Sequence, residues 1–238
     1  MAKTILIIED EIAIQNILAE PLRACGYEVV TASDGLEGIN TFHAHHIDLI
    51  LLDIMLPKIN GYAVCEMIRQ EARTPIILLT ALDTEADQIK GFDLLADDYI
   101  TKPFSIKLVL KRVEALFRRT ETMDMDTDTL RYKELQISAK QRQVLVSGAE
   151  VILTQSEFDI LLLFLKNQGR VFTRDELLNL VWGYEFIGEE KSVNFHIMNL
   201  RKKLGVDFID TVRGGIQNCE RKSVTLSVQK SSCGYLPH

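Results

Sequence analysis

Three carboxylates, a hydroxyl and a lysine stand where strands should end. The run KTILIIED (3–10) finishes on Glu9 and Asp10, and DLILLD (48–53) finishes on Asp53. A short apolar run bounded by polar residues reads as a fully buried parallel strand. Thr80 closes another such run, and Lys102 follows the last of them. Side by side, these strands bring Glu9, Asp10, Asp53, Thr80 and Lys102 to one sheet edge, the edge at which doubly wound sheets bind ligands. Carboxylates repel, so such a cluster is costly unless something cationic binds there. The set suits a magnesium ion beside a phosphoryl group. Mg2+ takes carboxylate and water oxygens and pairs with phosphate, while a lysine and a hydroxyl can hold the remaining phosphoryl oxygens.

The surrounding pattern supplies the elements to hold these residues. Strand candidates are Thr4–Ile8, Glu28–Ala32, Leu49–Leu52, Ile76–Thr80 and Tyr99–Thr101. Between them lie amphipathic stretches: Ile14, Ile17, Leu18 and Leu22 at helical spacing, then Leu36–Phe42, Tyr62–Ile68, Glu85–Leu94 and Lys107–Phe117. This alternation predicts an α/β fold, a doubly wound parallel five-stranded sheet with helices on both faces. Ser33, Asp83 and Ser105 are the expected N-caps, and Pro21 should kink the first helix.

The 238 residues allow one or two domains, and 47% hydrophobic content is ample for a core. The opening MAKTILII is too short for a signal peptide, and no run approaches a membrane span. Cys25, Cys65, Cys219 and Cys233 have no paired spacing, which with the rest reads as a cytoplasmic protein with free thiols. Residues 1–120 carry 12 Lys+Arg against 18 Asp+Glu, a balance of −6, whereas residues 191–238 carry 8 against 3, a balance of +5. A basic end favours nucleic acid as a partner.

Residues 1–119 form the first predicted domain, the polar stretch 120–129 a linker, and residues 130–238 the second domain. LRYKELQIS, RQVLVSG and AEVILT read as short antiparallel strands. Thr154-Gln155-Ser156-Glu157 is a capping box, a second helix begins near Arg174, and a third spans about Ser192 to Leu204, ended by Gly205. On the third helix Val193, Ile197, Leu200 and Leu204 make an apolar stripe; Asn194, Met198 and Arg201 line another face, with His196, Asn199 and Lys203 beside them. Such side chains reach base edges and phosphates.

The first half resembles the receiver domain of bacterial response regulators. The resemblance rests on IIEDE (7–11), LLDIMLP (51–57), Gly61, LLTAL (78–82), ADDYITKPF (96–104) and RVEALFRR (112–119). It implies a CheY-like fold in which a sensor histidine kinase phosphorylates Asp53. Glu9, Asp10, Asp53 and the backbone carbonyl of Met55 would hold Mg2+, and Lys102, before a cis Lys102–Pro103 peptide, would grip the phosphoryl group. Thr80 and Tyr99 would form the switch pair, biasing a surface around the Glu85–Leu94 helix and the fifth strand through which the family dimerises. Lys90 belongs to that face, but its usual acidic partner is here Leu108, and Leu95 stands where the family usually has Gly. Asp97 and Arg112 would form the face's second salt bridge.

ILTQSEF (152–158), NQGRVFTRDELLNLVWG (167–183) and KSVNFHIMNLRKKL (191–204) resemble the OmpR/PhoB-type winged helix-turn-helix (α+β) domain, over Leu130 to about Gly214. The resemblance implies promoter binding, with the third helix in the major groove. Lys191, His196, Arg201, Thr211 and Arg213 match DNA-contact positions; Met198 and Asn199 replace residues that are often basic. WGYEFIGEEKS corresponds to a loop that some relatives use to meet RNA polymerase. The family's wing reads TVRG-x-GY, whereas here TVRG (211–214) is followed by an irregular stretch, 215–233, before Gly234-Tyr235. An insertion within the wing, extended by VTLSV (224–228), and a replaced tail are the two readings, the insertion slightly preferred. Two other functions fit the residues: a Mg2+-dependent phosphohydrolase passing through an aspartyl phosphate, and a protein-binding regulator that has lost DNA.

Overall fold

The computed structural model describes residues 2–80, 96–121, 129–183, 190–205, 208–212 and 215–218. The first half is a parallel sheet in the order β2-β1-β3-β4-β5, with β1 Thr4–Ile8, β2 Glu28–Ala32, β3 Leu49–Asp53, β4 Ile76–Thr80 and β5 Asp98–Thr101. Its described helices are α1 Ile12–Ala24, α2 Gly35–Ala44, α3 Gly61–Glu71 and α4 Ile106–Glu121. The expected helix over Glu85–Leu94, with Asp83, Lys90 and Leu95, lies outside the described residues.

The two-residue period of β1 decides how the layers form. Leu6 and Ile8 pack with Val64, Cys65 and Ile68 of α3, while Ile5 and Ile7 pack with Leu18 and Leu22 of α1 and Val113 and Leu116 of α4. All four strand residues are fully buried, each worth about 1.5–3 kcal/mol of transfer free energy. Both sheet faces are thereby covered, as an all-parallel sheet requires.

Local details differ from the sequence expectation in two places, the N-cap of α2 and the extent of the AEVILT strand. The N-cap of α2 is Asp34, not Ser33: its carboxylate accepts from the Glu37 N–H at 2.9 Å. An ionised acceptor suits the helix N-terminus better than a hydroxyl. Helix α1 runs through Pro21 to Ala24, and the proline has no N–H to give the carbonyl four residues before it. Of AEVILT, only Ala149–Glu150 forms a strand. Ser105 caps α4 as its sequence predicts, accepting from the Leu108 N–H.

The second half opens with an antiparallel sheet of β6 Leu130–Tyr132, β7 Leu135–Ser138, β8 Gln143–Val146 and β9 Ala149–Glu150. Three helices follow: α5 Gln155–Lys166, α6 Arg174–Val181 and α7 Glu190–Leu204. A three-stranded sheet closes the fold, β10 Val171–Phe172, β12 Gly215–Asn218 and β11 Ile209–Val212 in that order. Thr154 and Thr173 both complete capping boxes, with Glu157 and Glu176. One core joins Phe158, Leu161 and Leu165 of α5, Leu177 of α6, Trp182, and Val193, Ile197, Leu200 and Leu204 of α7.

The wing is described as far as Asn218. Val212 pairs directly with Gly215, and β12 bonds β10 on its other side. A Cβ on Gly215 would sit 2.6 Å from the Phe172 carbonyl oxygen, which is why this returning strand begins with glycine. VTLSV, Cys219, Cys233 and Gly234-Tyr235 lie outside the described residues.

Candidate functional site

The strand ends deliver the acids as their spacing predicts. Glu9 and Asp53 are buried, Asp10 is exposed, and one oxygen from each lies within 4.8 Å of the others. Among the described residues this is the group of acids placed to hold a metal ion. Lys102 reaches across from the end of β5, its Nζ 2.8 Å from Glu9 Oε2 and 3.0 Å from Asp53 Oδ2. Thr80, at the end of β4, is buried, and its carbonyl accepts from the Lys102 N–H at 2.6 Å. The Lys102–Pro103 peptide is cis.

The electrostatics say what the cluster lacks. Three carboxylates and one ammonium leave a formal charge of −2. Burial pushes the Glu9 carboxyl above the ordinary glutamate value, Asp53 pushes it further, and Lys102 only partly opposes them. Burial alone would lower Lys102, but its hydrogen bonds to Glu9 and Asp53 outweigh burial and carry it upward. Both shifts point the same way: the cluster takes up positive charge. Glu9 Oε1 is buried with no hydrogen-bond partner, a position that normally demands one. Hard oxygen donors, a net negative charge and an orphaned buried oxygen fit a divalent cation.

Gln15, Lys58 and Asp34 help position the site and carry no obvious signal in the sequence, whereas Gly61 belongs to the motif already noted. Gln15 of α1 donates to the Glu9 carbonyl at 2.6 Å and to the Ala32 carbonyl, tying the β1 and β2 ends together. Lys58, at a φ of 64°, pairs with the Asp34 cap of α2 and so pins the loop after Asp53; its hydrogen bond holds the Asp34 carboxyl below its ordinary value. Gly61 opens α3 where a Cβ would stand 2.0 Å from the Asp53 carbonyl oxygen, so only glycine lets the helix approach the strand this closely. The Met55 N–H lies 3.3 Å from Asp53 Oδ1, and the Met55 side chain is exposed.

The expected Asp97–Arg112 salt bridge does not form. Asp97 is fully buried and pairs with Arg69 of α3 at 2.7 Å, while Arg112 pairs with Asp98. The swap follows from strand alternation. Adjacent residues point to opposite sides, so Asp97 meets α3 and Asp98 meets α4. Tyr99 is half-buried beside them.

Helix α7 presents a narrower outward face than its pattern suggests. Asn194, Met198 and Lys202 are exposed, and Arg201 is half-buried. His196 and Asn199, expected on the DNA side, are instead 4% and 6% exposed. Helix α7 packs on both α5 and α6, so more than one stripe faces inward, and the His196 ring lies 5.3 Å from that of Trp182. Lys203 also turns inward, to the buried Glu157. Arg201 donates to the Ile209 carbonyl at 3.0 Å and to Thr211 Oγ1 at 2.9 Å, joining helix and wing; Arg174 donates to Asn194 at 2.6 Å. The Lys191 side chain and Arg213 lie outside the described residues. Lys202 is the outward cation the sequence reading passed over.

Residues 5–114 match the family described as "Response regulator receiver domain", and residues 148–215 the family described as "Transcriptional regulatory protein, C terminal". The chain belongs to the two-component response regulators that join these two domains, and is a transcriptional regulator of that family. It is 43% identical over 224 residues to a probable transcriptional regulator, ycf27, of Cyanophora paradoxa, covering 89% of this chain and 94% of the relative. A solved mutant of RitR matches 92% of this chain and 100% of its own with a TM-score of 0.76 at 28% identity. Over the same shares, the response regulator DrrB of Thermotoga maritima, titled an OmpR/PhoB homologue, gives a TM-score of 0.52 at 30% identity. No helix among the described residues is long and apolar enough to cross a membrane.

Proposed function

We propose that Asp53 is the phosphoacceptor and that its phosphorylation by a sensor histidine kinase controls promoter binding. The observation that carries this is the double contact of Lys102 with Glu9 and Asp53 at the carboxyl edge of the sheet. In the transfer, the phosphorus–nitrogen bond of a phosphohistidine breaks and a bond from phosphorus to an Asp53 oxygen forms. Glu9, Asp10, Asp53 and the Met55 carbonyl would hold Mg2+, which would supply positive charge against the transferring group. Lys102, released from Asp53, takes a phosphoryl oxygen. The new group adds about −1.5 to −2 charges and three acceptor oxygens. Thr80 moves toward these, and Tyr99 turns into the space it leaves.

The response is dimerisation through the receiver face that includes Lys90, followed by binding to paired half-sites about one helical turn apart. Helix α7 enters the major groove with Asn194, Met198, Arg201 and Lys202 outermost, joined by Lys191 at its start and Thr211 and Arg213 at the wing. The protein acts in the cytoplasm as a switch rather than a turnover enzyme, and the segment between α6 and α7 meets RNA polymerase. Acetyl phosphate with Mg2+ tests the acceptor. Intact-mass spectrometry should show one added phosphate on the native chain and none on Asp53→Asn; retention of the phosphate by Asp53→Asn rejects the assignment.

A further inference from the structure

The outward face of α7 is steered from the neighbouring helix. Arg174 Nε donates to Asn194 Oδ1 at 2.6 Å. Arg174 is the first residue of α6 and Asn194 lies near the start of α7, so the bond joins two helices across 20 positions of sequence. A cation is the wrong sign for the first turn of a helix, where the macrodipole favours negative charge. Thr173 and Glu176 already complete the cap of α6, so that helix end does not call for Arg174. The bond is exposed, and such a bond adds little to stability. Its consequence is the orientation of an amide.

Orientation matters because an amide has two different ends. A guanidinium only donates, so the atom it meets is the amide oxygen. Nδ2, with its two hydrogens, is the end left for another partner. Asn194, Met198 and Lys202 are exposed at i, i+4 and i+8, one line along α7. Helix-turn-helix domains meet base edges with residues toward the N-terminus of the recognition helix. Among the side chains described on α7, Asn194 is the outward one nearest that end. An unrestrained asparagine pairs with adenine through both ends, accepting from N6 and donating to N7. Here an adenine amino group could reach Oδ1 only beside a guanidinium, turning its own hydrogens toward a cation. Guanine presents two acceptors, O6 and N7, which suit both Nδ2 and the neighbouring positive charge.

We propose that Arg174 is a positioning residue for base selection: by holding Asn194 Oδ1 it makes Asn194 a donor, which reads guanine where a free asparagine would read adenine. This rests on the proposed entry of α7 into the major groove. The amide suits the task better than a carboxylate does. Aspartate at 194 would pair with Arg174 more strongly, through a charge-assisted bond, but would have no hydrogen to offer a base. Asparagine keeps the clamp and adds the donor.

Enrichment of a randomised DNA duplex by the full chain, with beryllofluoride and Mg2+ at fixed salt, identifies the base position whose preference Asn194→Ala erases. The native chain should select guanine there, by roughly tenfold over adenine. Arg174→Met should turn the preference toward adenine, and Arg174→Lys, which restores a donor, should bring guanine back. Asn194→Asp should lose the guanine preference; a bridge serving structure alone would leave the preference as it was. Native selection of adenine, or guanine still preferred in Arg174→Met, overturns the clamp. A uniform loss of affinity in Arg174→Met, with no change of base, likewise overturns it, since that marks a plain phosphate contact. The companion measurement needs no DNA. By NMR the Arg174 Nε–H resonance should shift in Asn194→Ala, and its hydrogen should exchange faster; an unchanged resonance overturns the clamp. A native chain that enriches no sequence, while this resonance responds to Asn194→Ala, rejects the entry of α7 into the groove and not the clamp.

Discussion

The Lys102 ammonium lies 3.0 Å from the Asp53 carboxylate, 49 positions away in sequence. The same ammonium bonds Glu9, so one side chain joins the two buried carboxylates. Lys102 is therefore a resident counter-ion of Glu9 and Asp53.

Replacing Lys102 with Met should strengthen Mg2+ binding while weakening retention of the phosphoryl group. The variant site loses one positive charge, and a hydrogen bond to a charged group is worth roughly 1.5–3 kcal/mol. A gain of about tenfold in Mg2+ affinity is expected by calorimetry. Equal or weaker binding would show that Lys102 does not compete with the ion.

Acid should weaken Mg2+ binding earlier than an ordinary glutamate would allow. Burial raises the Glu9 carboxyl above 4.5. In the metal-free chain its proton favours the folded state; that contribution is complete below 4.5 and is lost as pH rises through the raised value. The ion takes the deprotonated form, so its affinity runs the other way and falls as pH falls through the same raised value. Calorimetric titrations across the acid range should show this early decline, and Glu9→Gln should remove it along with most of the affinity. Affinity that stays flat until the ordinary glutamate range contradicts the assignment.

Arg69 and Asp97 make a buried pair, and breaking one by deleting a partner costs about 3–5 kcal/mol. Arg69→Met should lower receiver stability by this order in urea unfolding. A loss below about 1 kcal/mol, typical of surface pairs, would place the pair in solvent.

The outward face of α7 predicts a graded effect on DNA. Lys202→Ala should weaken binding to all sequences alike and reduce the slope of log K against log salt by about one. Met198→Lys, at a position half exposed, should steepen it. Asn199→Ala and His196→Ala should act through stability rather than through the salt slope, because both side chains are buried. A salt slope that responds to Asn199 but not Lys202 would reverse the orientation of the helix.

The receiver was largely legible in the sequence because its site residues sit at strand ends, where an apolar run stops at a definable position. Glu9, Asp53, Thr80 and Lys102 all converge as that rule requires. The pairing of Asp97 was not legible, since neighbouring acids on a strand differ in partner by a single residue of alternation. Helix α7 was legible only in its inward stripe. Period alone gives the direction of burial but not its width, and the packing of α5 and α6 on two sides hides His196 and Asn199. The bond from Arg174 to Asn194 joins two helices and has no local pattern at all.

The most direct test is a gel shift on promoter fragments, at fixed salt, with and without beryllofluoride and Mg2+, for the native chain and for Asp53→Ala. The native chain should bind selectively and several-fold more tightly with the mimic, and Asp53→Ala should bind no better with it than without. Equal stimulation of Asp53→Ala, or native binding that ignores the mimic, would contradict Asp53 as the residue through which phosphorylation controls DNA.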